Sequence, residues 1–172
     1  MGKLQTVMQA WPPGTIATTN WLASLGVSRQ LCQTYMNSGW IKSIGYAAFV
    51  KTEDKPSWLG GVHALQQELP LHVGGITSLE ILGRAHFIPL GEGGQVYLYN
   101  HGGQSEIHIP KWYQNFFSSK VVQRLNLRLF KTQVGLEKFA TDNFRVQISG
   151  TERALIEILA IVRKKKSIDS AA

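Results

Sequence analysis

The chain has 172 residues, of which 44% are apolar, and its formal net charge is +7 at pH 7. This length suits one ordinary domain or a small domain plus a medium one, and the apolar share predicts packed cores and excludes wholesale disorder. A basic balance of this size suits a polyanionic partner, either nucleic acid or a membrane surface.

The first predicted elements are two helices and a short connection between them. Residues 3–10 have the apolar spacing of a helix, which the Pro-Pro-Gly run at residues 12–14 ends. Thr18 or Thr19 can cap a short second helix, which Gly26 closes as a left-handed residue.

A third helix and a hairpin complete a helix-turn-helix with a wing. Ser28 can cap the helix, which runs to about Ser38 and places Leu31 and Tyr35 on its buried side. The alternating pattern that follows predicts two short strands separated by Gly45, at residues 40–44 and 46–50.

The outer side of this third helix carries side chains that can read base edges in a major groove. Arginine suits guanine, glutamine or asparagine suits adenine, and a threonine methyl group suits thymine. The side chains predicted to read bases are Arg29, Gln30, Gln33, Thr34 and Asn37.

The same region favours phosphate contacts, since its first acidic residue is Glu53 and nothing before it repels phosphate. The complete predicted DNA-binding set is Thr18, Thr19, Ser28, Arg29, Gln30, Gln33, Thr34, Asn37, Lys42, Tyr46 and Lys51. Ser28 and the helix N-terminus would meet a phosphate, and the wing lysines and tyrosine would hold the DNA backbone. Two alternatives remain: a chance absence of acids, and a polar face that serves only protein contacts.

A polar segment that contains a proline, residues 53–57, predicts a boundary between a domain at 1–54 and a second domain at 55–172. Ser57 caps the next helix, which Pro70 breaks, and Gly74-Gly75 leads into another helix that Gly83 ends. The sequence therefore predicts an α/β (α+β) fold, with an N-terminal winged helix-turn-helix followed by a mixed α/β domain.

The second domain is predicted to contain short strands and a closing helix. A hairpin is expected from residues 87–90 and 96–99, with further strands at 121–130 and 144–148. Ser149 or Thr151 caps the closing helix, which ends in the basic run 163–166. Its apolar residues are Ala154, Leu155, Ile158, Leu159 and Val162.

The sequence offers no recognisable catalytic or metal site, so we expect no enzyme, no metal and no cofactor. The glycine-rich stretch 91–94 lacks the Lys-Ser/Thr that completes a phosphate loop, and a turn fits it better. The acidic residues Glu80, Glu106 and Asp142 are scattered, with nothing to pair them for acid–base catalysis, and the histidines lack the spacing of a metal pair. These histidines, predicted to be surface or packing residues, are His63, His72, His86, His101 and His108.

The sequence also predicts a cytoplasmic protein without a membrane partner. Its one cysteine, Cys32, cannot form an internal disulfide, which suits a reducing compartment. No N-terminal stretch has the pattern of a signal peptide, and no apolar run approaches the roughly 20 residues of a transmembrane helix.

Six short motifs follow one another along most of the chain. They are GVSRQL at 26–31, SGWI at 38–41, PSW at 56–58, HVGGITSL at 72–79, IPKW at 109–112 and ISGTERA at 148–154. In this order they resemble the AbiEi-type antitoxins, which are the regulator-antitoxins of type IV toxin–antitoxin systems.

The resemblance implies two roles. The N-terminal domain would bind double-stranded operator DNA at inverted repeats and repress its own operon. The C-terminal domain would counteract a nucleotidyltransferase-like toxin, for which no stable complex is required. Ala47-Ala48 in the wing departs from the glycine and basic residue expected there, which weakens a minor-groove contact. Family members are commonly longer, so a C-terminal domain that is truncated in this sequence remains an alternative.

Overall fold

A computed structural model of the chain shows two compact units. Unit 1 comprises Met1–Glu68, Ile109–Ser118 and Ala140–Arg145, and unit 2 comprises Leu69–His108, Ser119–Phe139 and Val146–Ala172. The structure describes residues 2–85, 94–101, 107–118, 122–125, 130 and 133–169, without the side chains of 122–125 and 164–169.

The elements alternate between helices and short strands. In chain order they are α1 (Lys3–Ala10), β1 (Ala17–Thr18), α2 (Thr19–Ser24), α3 (Arg29–Asn37), β2 (Ile41–Gly45), β3 (Ala48–Lys51), α4 (Trp58–Gln66), β4 (Leu71–Val73), α5 (Gly75–Ile81), β5 (Val96–Asn100), α6 (Lys111–Phe116), β6 (Val122–Leu125), β7 (Leu136–Ala140), β8 (Arg145–Ser149) and α7 (Thr151–Asp169).

Unit 1 contains the predicted winged helix. Thr18 and Ser28 cap α2 and α3 by accepting backbone hydrogen bonds from Trp21 and Leu31. Gly26, in the turn between these helices, has a φ of +74°, which glycine adopts without steric cost. The wing strands form an antiparallel sheet in the order β1-β3-β2. The core beneath the helices and sheet includes Val7, Trp11, Ala17, Leu22, Val27, Cys32, Tyr35, Ile41 and Phe49.

The wing and α3 differ from prediction in two details. The second wing strand begins at Ala48 because Tyr46 and Ala47 form the turn, with Ala47 at a φ of +59°. Cys32 shares the buried side of α3 with Tyr35, while Leu31 is only partly buried against the core. The cap of α2 is Thr18, which decides between the two predicted candidates.

The polar segment after the wing is held in unit 1. The backbone N–H of Gly14 donates to the Asp54 carboxylate at 3.0 Å. Ser57 caps α4, as predicted, by accepting from the N–H of Gly60 at 3.1 Å. A Cβ on Gly60 would lie 1.9 Å from the Gly14 carbonyl oxygen, so only glycine permits this close approach. The predicted boundary after residue 54 therefore falls inside unit 1.

Unit 2 is a mixed α/β fold, as predicted. Its sheet has the order β6-β5-β4-β8-β7, in which β4 pairs antiparallel with β5 and parallel with β8. Helices α5 and α7 pack against each other. The buried apolar side chains of this unit include Leu71, Val73, Leu79, Val96, Leu98, Val146, Ile148 and Ala154.

Some predicted strands are only partly described. The hairpin strand at 87–90 and most of the glycine-rich stretch lie outside the described residues, as does much of the strand predicted at 121–130. The strands β5 and β8 lie where strands were predicted, whereas β4 and β7 were not anticipated. Within the described ranges, no helix is both long and apolar enough to cross a bilayer.

Candidate DNA interface

The outer side of α3 is a polar surface. Cys32 and Tyr35 are buried on the other side of the helix, where they anchor it in the core of unit 1. Burial lowers the acidity of both groups and raises their pKa, so the Cys32 thiol stays protonated. The five side chains predicted to read bases are all exposed on the outer side: Arg29, Gln30, Gln33, Thr34 and Asn37.

Hydrogen bonds within the helix order part of this surface. The Gln33 side-chain Nε2 donates to Asn37 Oδ1 at 2.9 Å, and the Thr34 hydroxyl donates to the Gln30 carbonyl at 3.1 Å. The carbonyl oxygen of Gln33 and the amino group of Asn37 take no part in this hydrogen bond. Adenine presents the complementary acceptor and donor at its major-groove edge.

The beginning of α3 can meet an anion. Ser28 is exposed, and its hydroxyl accepts from the Leu31 N–H at 3.2 Å. No acidic residue lies in the first turn of α3, so the positive end of the helix dipole is not compensated there. Arg29 adds a positive charge at this end of the helix.

The wing presents two of the predicted side chains to solvent. Lys42 is exposed on β2, and Tyr46 at the tip of the wing is 90% exposed. The N–H of Thr19, which is half-buried, donates to the Ala47 carbonyl at 3.0 Å and ties the wing tip to the start of α2. Trp112 of α6 packs so closely on Gly45 that a Cβ there would lie 2.9 Å from the Trp112 Cβ.

The hydroxyl of Thr18 is used by the fold. It accepts from the Trp21 N–H at 3.2 Å and donates to Glu68 Oε1 at 2.5 Å. Thr18 is 6% exposed and its hydroxyl is engaged on both sides, so it is a poor candidate for a DNA contact.

Lys51 is also used by the fold, because its ammonium closes the C-terminal end of α1. Its Nζ donates to the carbonyl oxygens of Met8 at 3.2 Å and Trp11 at 2.7 Å, and it lies 5.8 Å from the centroid of the Trp11 ring. Burial lowers the pKa of Lys51, and the nearby charge of Asp54 opposes this effect in part. An ammonium engaged in this way is a poor candidate for a phosphate contact.

Unit 2 contains a buried polar cluster that the sequence did not reveal. The Glu157 carboxylate accepts hydrogen bonds from His72 Nε2 at 2.9 Å, from the Gly75 N–H at 2.9 Å and from Arg153 Nε at 3.1 Å. The Ser149 hydroxyl donates to the same carboxylate at 2.9 Å. The cluster thereby joins β4, α5, β8 and α7. The sequence signal for this cluster is the spacing of Arg153 and Glu157. They stand four positions apart, which places opposite charges side by side on a helix.

The pKa shifts in this cluster indicate a neutral histidine beside a carboxylate. Burial, together with the charge of Arg153, lowers the pKa of His72 more than the hydrogen bond and charge of Glu157 raise it. Burial alone would raise the pKa of Glu157, but the interactions with His72 and the hydrogen bonds from Gly75 and Ser149 outweigh this effect, and the pKa is lowered. Among the described residues, no group of three or more His, Cys, Asp or Glu side chains could hold a metal ion.

Unit 1 is a winged helix, and its third helix presents a polar face without acidic residues. These two features are typical of the class of winged-helix DNA-binding proteins. The family model described as the AbiEi antitoxin N-terminal domain of transcriptional regulators matches residues 1–90. Because this is more than half of the chain, the protein belongs to that family of DNA-binding antitoxin regulators, which is not a class of enzymes. None of the curated proteins compared with the chain matches it.

Proposed function

We propose that the protein represses its own toxin–antitoxin operon by binding inverted repeats in the operator through α3. The observation that carries the proposal is the exposed face of Arg29, Gln30, Gln33, Thr34 and Asn37, which no acidic residue interrupts. Helices of this type enter the major groove and read bases from their N-terminal residues.

The proposed interface combines base reading with contacts to the DNA backbone. Arg29 pairs with guanine, and the Gln33–Asn37 amide pair contacts adenine. Ser28, Lys42 and Tyr46 hold the phosphate backbone and set the register of α3, and Thr19 lies at its edge. The exposure of Ser28, Lys42 and Tyr46 supports this assignment.

The operator experiment compares a duplex from upstream of the protein's own operon with a random duplex over a salt series. Arg29→Ala is expected to weaken operator binding by about 1–3 kcal/mol and to relax discrimination at one base position. Arg145→Ala removes an exposed arginine outside the interface and should change neither quantity. Equal affinity of the unmodified protein for both duplexes would contradict specific repression and favour a protein-contact role for the winged helix.

We also propose that the protein counteracts a nucleotidyltransferase-like toxin, and that this activity resides in unit 2. Membership of an antitoxin family supports the role, and the polar cluster gives unit 2 a defined core. The test co-expresses the protein with the toxin gene of the same operon and measures growth. Arg29→Ala should lose repression and keep protection. Loss of protection by a folded Arg29→Ala protein would contradict the assignment of this activity to unit 2.

A further inference from the structure

The exposed side of α7 is apolar, although its buried side carries charges. Arg153 and Glu157 are 5% and 1% exposed. Four large apolar side chains share the exposed side and form what we call the α7 stripe: Leu155, Ile156, Leu159 and Val162, which are 48, 46, 67 and 47% exposed. Their spacing of three and four positions places them next to one another on the helix. A contiguous exposed apolar surface of this kind marks an interaction site.

A charge of opposite sign borders each end of the α7 stripe. Glu152 precedes it and Arg163 follows it, and both are exposed. They stand seven positions before and four positions after Leu159, so all three lie on one side of the helix. The two charges are separated by about 16 Å along the helix axis, with the apolar side chains between them.

We propose that the α7 stripe binds the α7 stripe of a second copy of this chain in an antiparallel, two-fold arrangement. This arrangement places Glu152 of each copy beside Arg163 of the other, so both ends of the contact gain an ion pair. The most exposed leucine, Leu159, lies near the two-fold axis. A parallel arrangement would place like charges together at both ends. The surface is therefore complementary to itself, as a two-fold interface requires.

The small size of the stripe predicts a weak dimer. Four side chains per copy bury less than the 1,200 Å² or so that specific, stable interfaces begin with, so the dissociation constant should be on the order of 10 to 100 µM. The dimer is independent of the DNA-binding proposal, since its test contains no DNA. A two-fold protein would also match inverted repeats in DNA.

The experiment is sedimentation equilibrium of the full chain from about 1 to 300 µM, a range that brackets the expected dissociation constant. We expect a reversible monomer–dimer equilibrium. Leu159→Glu brings two carboxylates together near the axis and should raise the dissociation constant at least about tenfold. Val134→Glu adds the same charge at a side chain that is 73% exposed and outside α7, and it should leave the equilibrium unchanged.

A charge exchange tests the orientation. Glu152→Arg should weaken the dimer, and the double variant Glu152→Arg with Arg163→Glu should restore it. Far-UV circular dichroism checks that each variant keeps its helix content. A monomer at every concentration, or a dimer insensitive to Leu159→Glu, would overturn the proposal. A weakened dimer that the double variant does not restore would overturn the antiparallel arrangement.

Discussion

Ala47 in the wing adopts a backbone conformation that side chains other than glycine seldom tolerate. Its φ of +59° lies in the left-handed region, where a Cβ costs roughly 1–2 kcal/mol. The conformation lets its carbonyl accept from the Thr19 N–H and so fixes the tip of the wing. The sequence departs here from the glycine expected in a wing, and the structure shows that the turn forms nevertheless.

Ala47→Gly should therefore stabilise unit 1. Glycine relieves the steric cost but loses more chain entropy on folding, so the net gain in the free energy of unfolding should be about 0.5–1 kcal/mol. Urea denaturation measures it. Ala48→Gly is the matched control, because Ala48 is a fully buried strand residue and its loss should destabilise the protein. A destabilised Ala47→Gly protein would contradict the claim that the backbone of Ala47 is strained.

Lys51 was predicted from its charge to contact phosphate, but its ammonium binds two backbone carbonyls in the structure. Lys51→Met keeps the aliphatic stem but leaves two partly buried carbonyls without this donor, so unfolding free energy should fall by about 1–2 kcal/mol. Thermal denaturation measures the loss, and Lys55→Met, at an exposed lysine, should stay within about 0.5 kcal/mol of the unmodified protein. If the Lys51→Met protein is as stable as the unmodified protein and its DNA affinity depends less on salt, the predicted phosphate contact of Lys51 is supported.

Helix α7 departs from the usual amphipathic pattern. Its leucines are exposed, and Arg153 and Glu157 are buried where apolar residues would normally pack. The buried charges are tolerated because His72, Ser149 and the Gly75 N–H complete the hydrogen bonding of the carboxylate. A Cβ on Gly74 would approach Glu157 Oε2 within 2.3 Å, which explains why the segment entering α5 needs glycine.

The cluster predicts that unit 2 loses stability in acid. The pKa of His72 is lowered on folding, so the unfolded chain binds more protons and stability falls as the pH drops below about 6.5. The pKa of Glu157 is also lowered, which adds a further loss below about pH 4.3. The melting temperature should therefore fall between pH 7.5 and 5.5.

His72→Gln tests the origin of this dependence, because glutamine can still donate to Glu157 but does not titrate. The fall in melting temperature should become smaller in this variant, and part should remain because burial also lowers the pKa of His101. His108→Gln changes an exposed histidine outside the cluster and should keep the original dependence. An unchanged pH profile in His72→Gln would exclude His72 as the titrating group.

The net charge of +7 favours DNA, and Arg29 and Lys42 are the two basic side chains of the proposed interface. Lys42→Ala should weaken binding to operator and random duplexes alike and reduce the salt dependence of log K by about 0.9, as the loss of one phosphate contact requires. Lys55→Ala removes the same charge from the segment after the wing and serves as the control. A changed ratio of operator to random affinity would mean that Lys42 contacts bases.

Sequence alone determined the features that depend on neighbouring residues. The caps at Ser28 and Ser57, the turn at Gly26 and the polar side of α3 each involve positions within a few residues of one another, so local patterns identify them. The strand β4 was missed because three residues carry too little alternation to be recognised.

Contacts between distant segments determine which side chains remain available for function. Segments 109–118 and 140–145 complete unit 1 from far along the chain. The carboxylate that accepts from Thr18 lies 50 positions away, and the carbonyls that accept from Lys51 lie 40 and 43 positions away. Likewise His72 is hydrogen-bonded to Glu157, which lies 85 positions further along the chain. Both of these polar residues are buried, whereas the leucines of α7 are exposed. Burial and hydrogen bonding between distant segments depend on how the chain packs, and no local pattern encodes that packing.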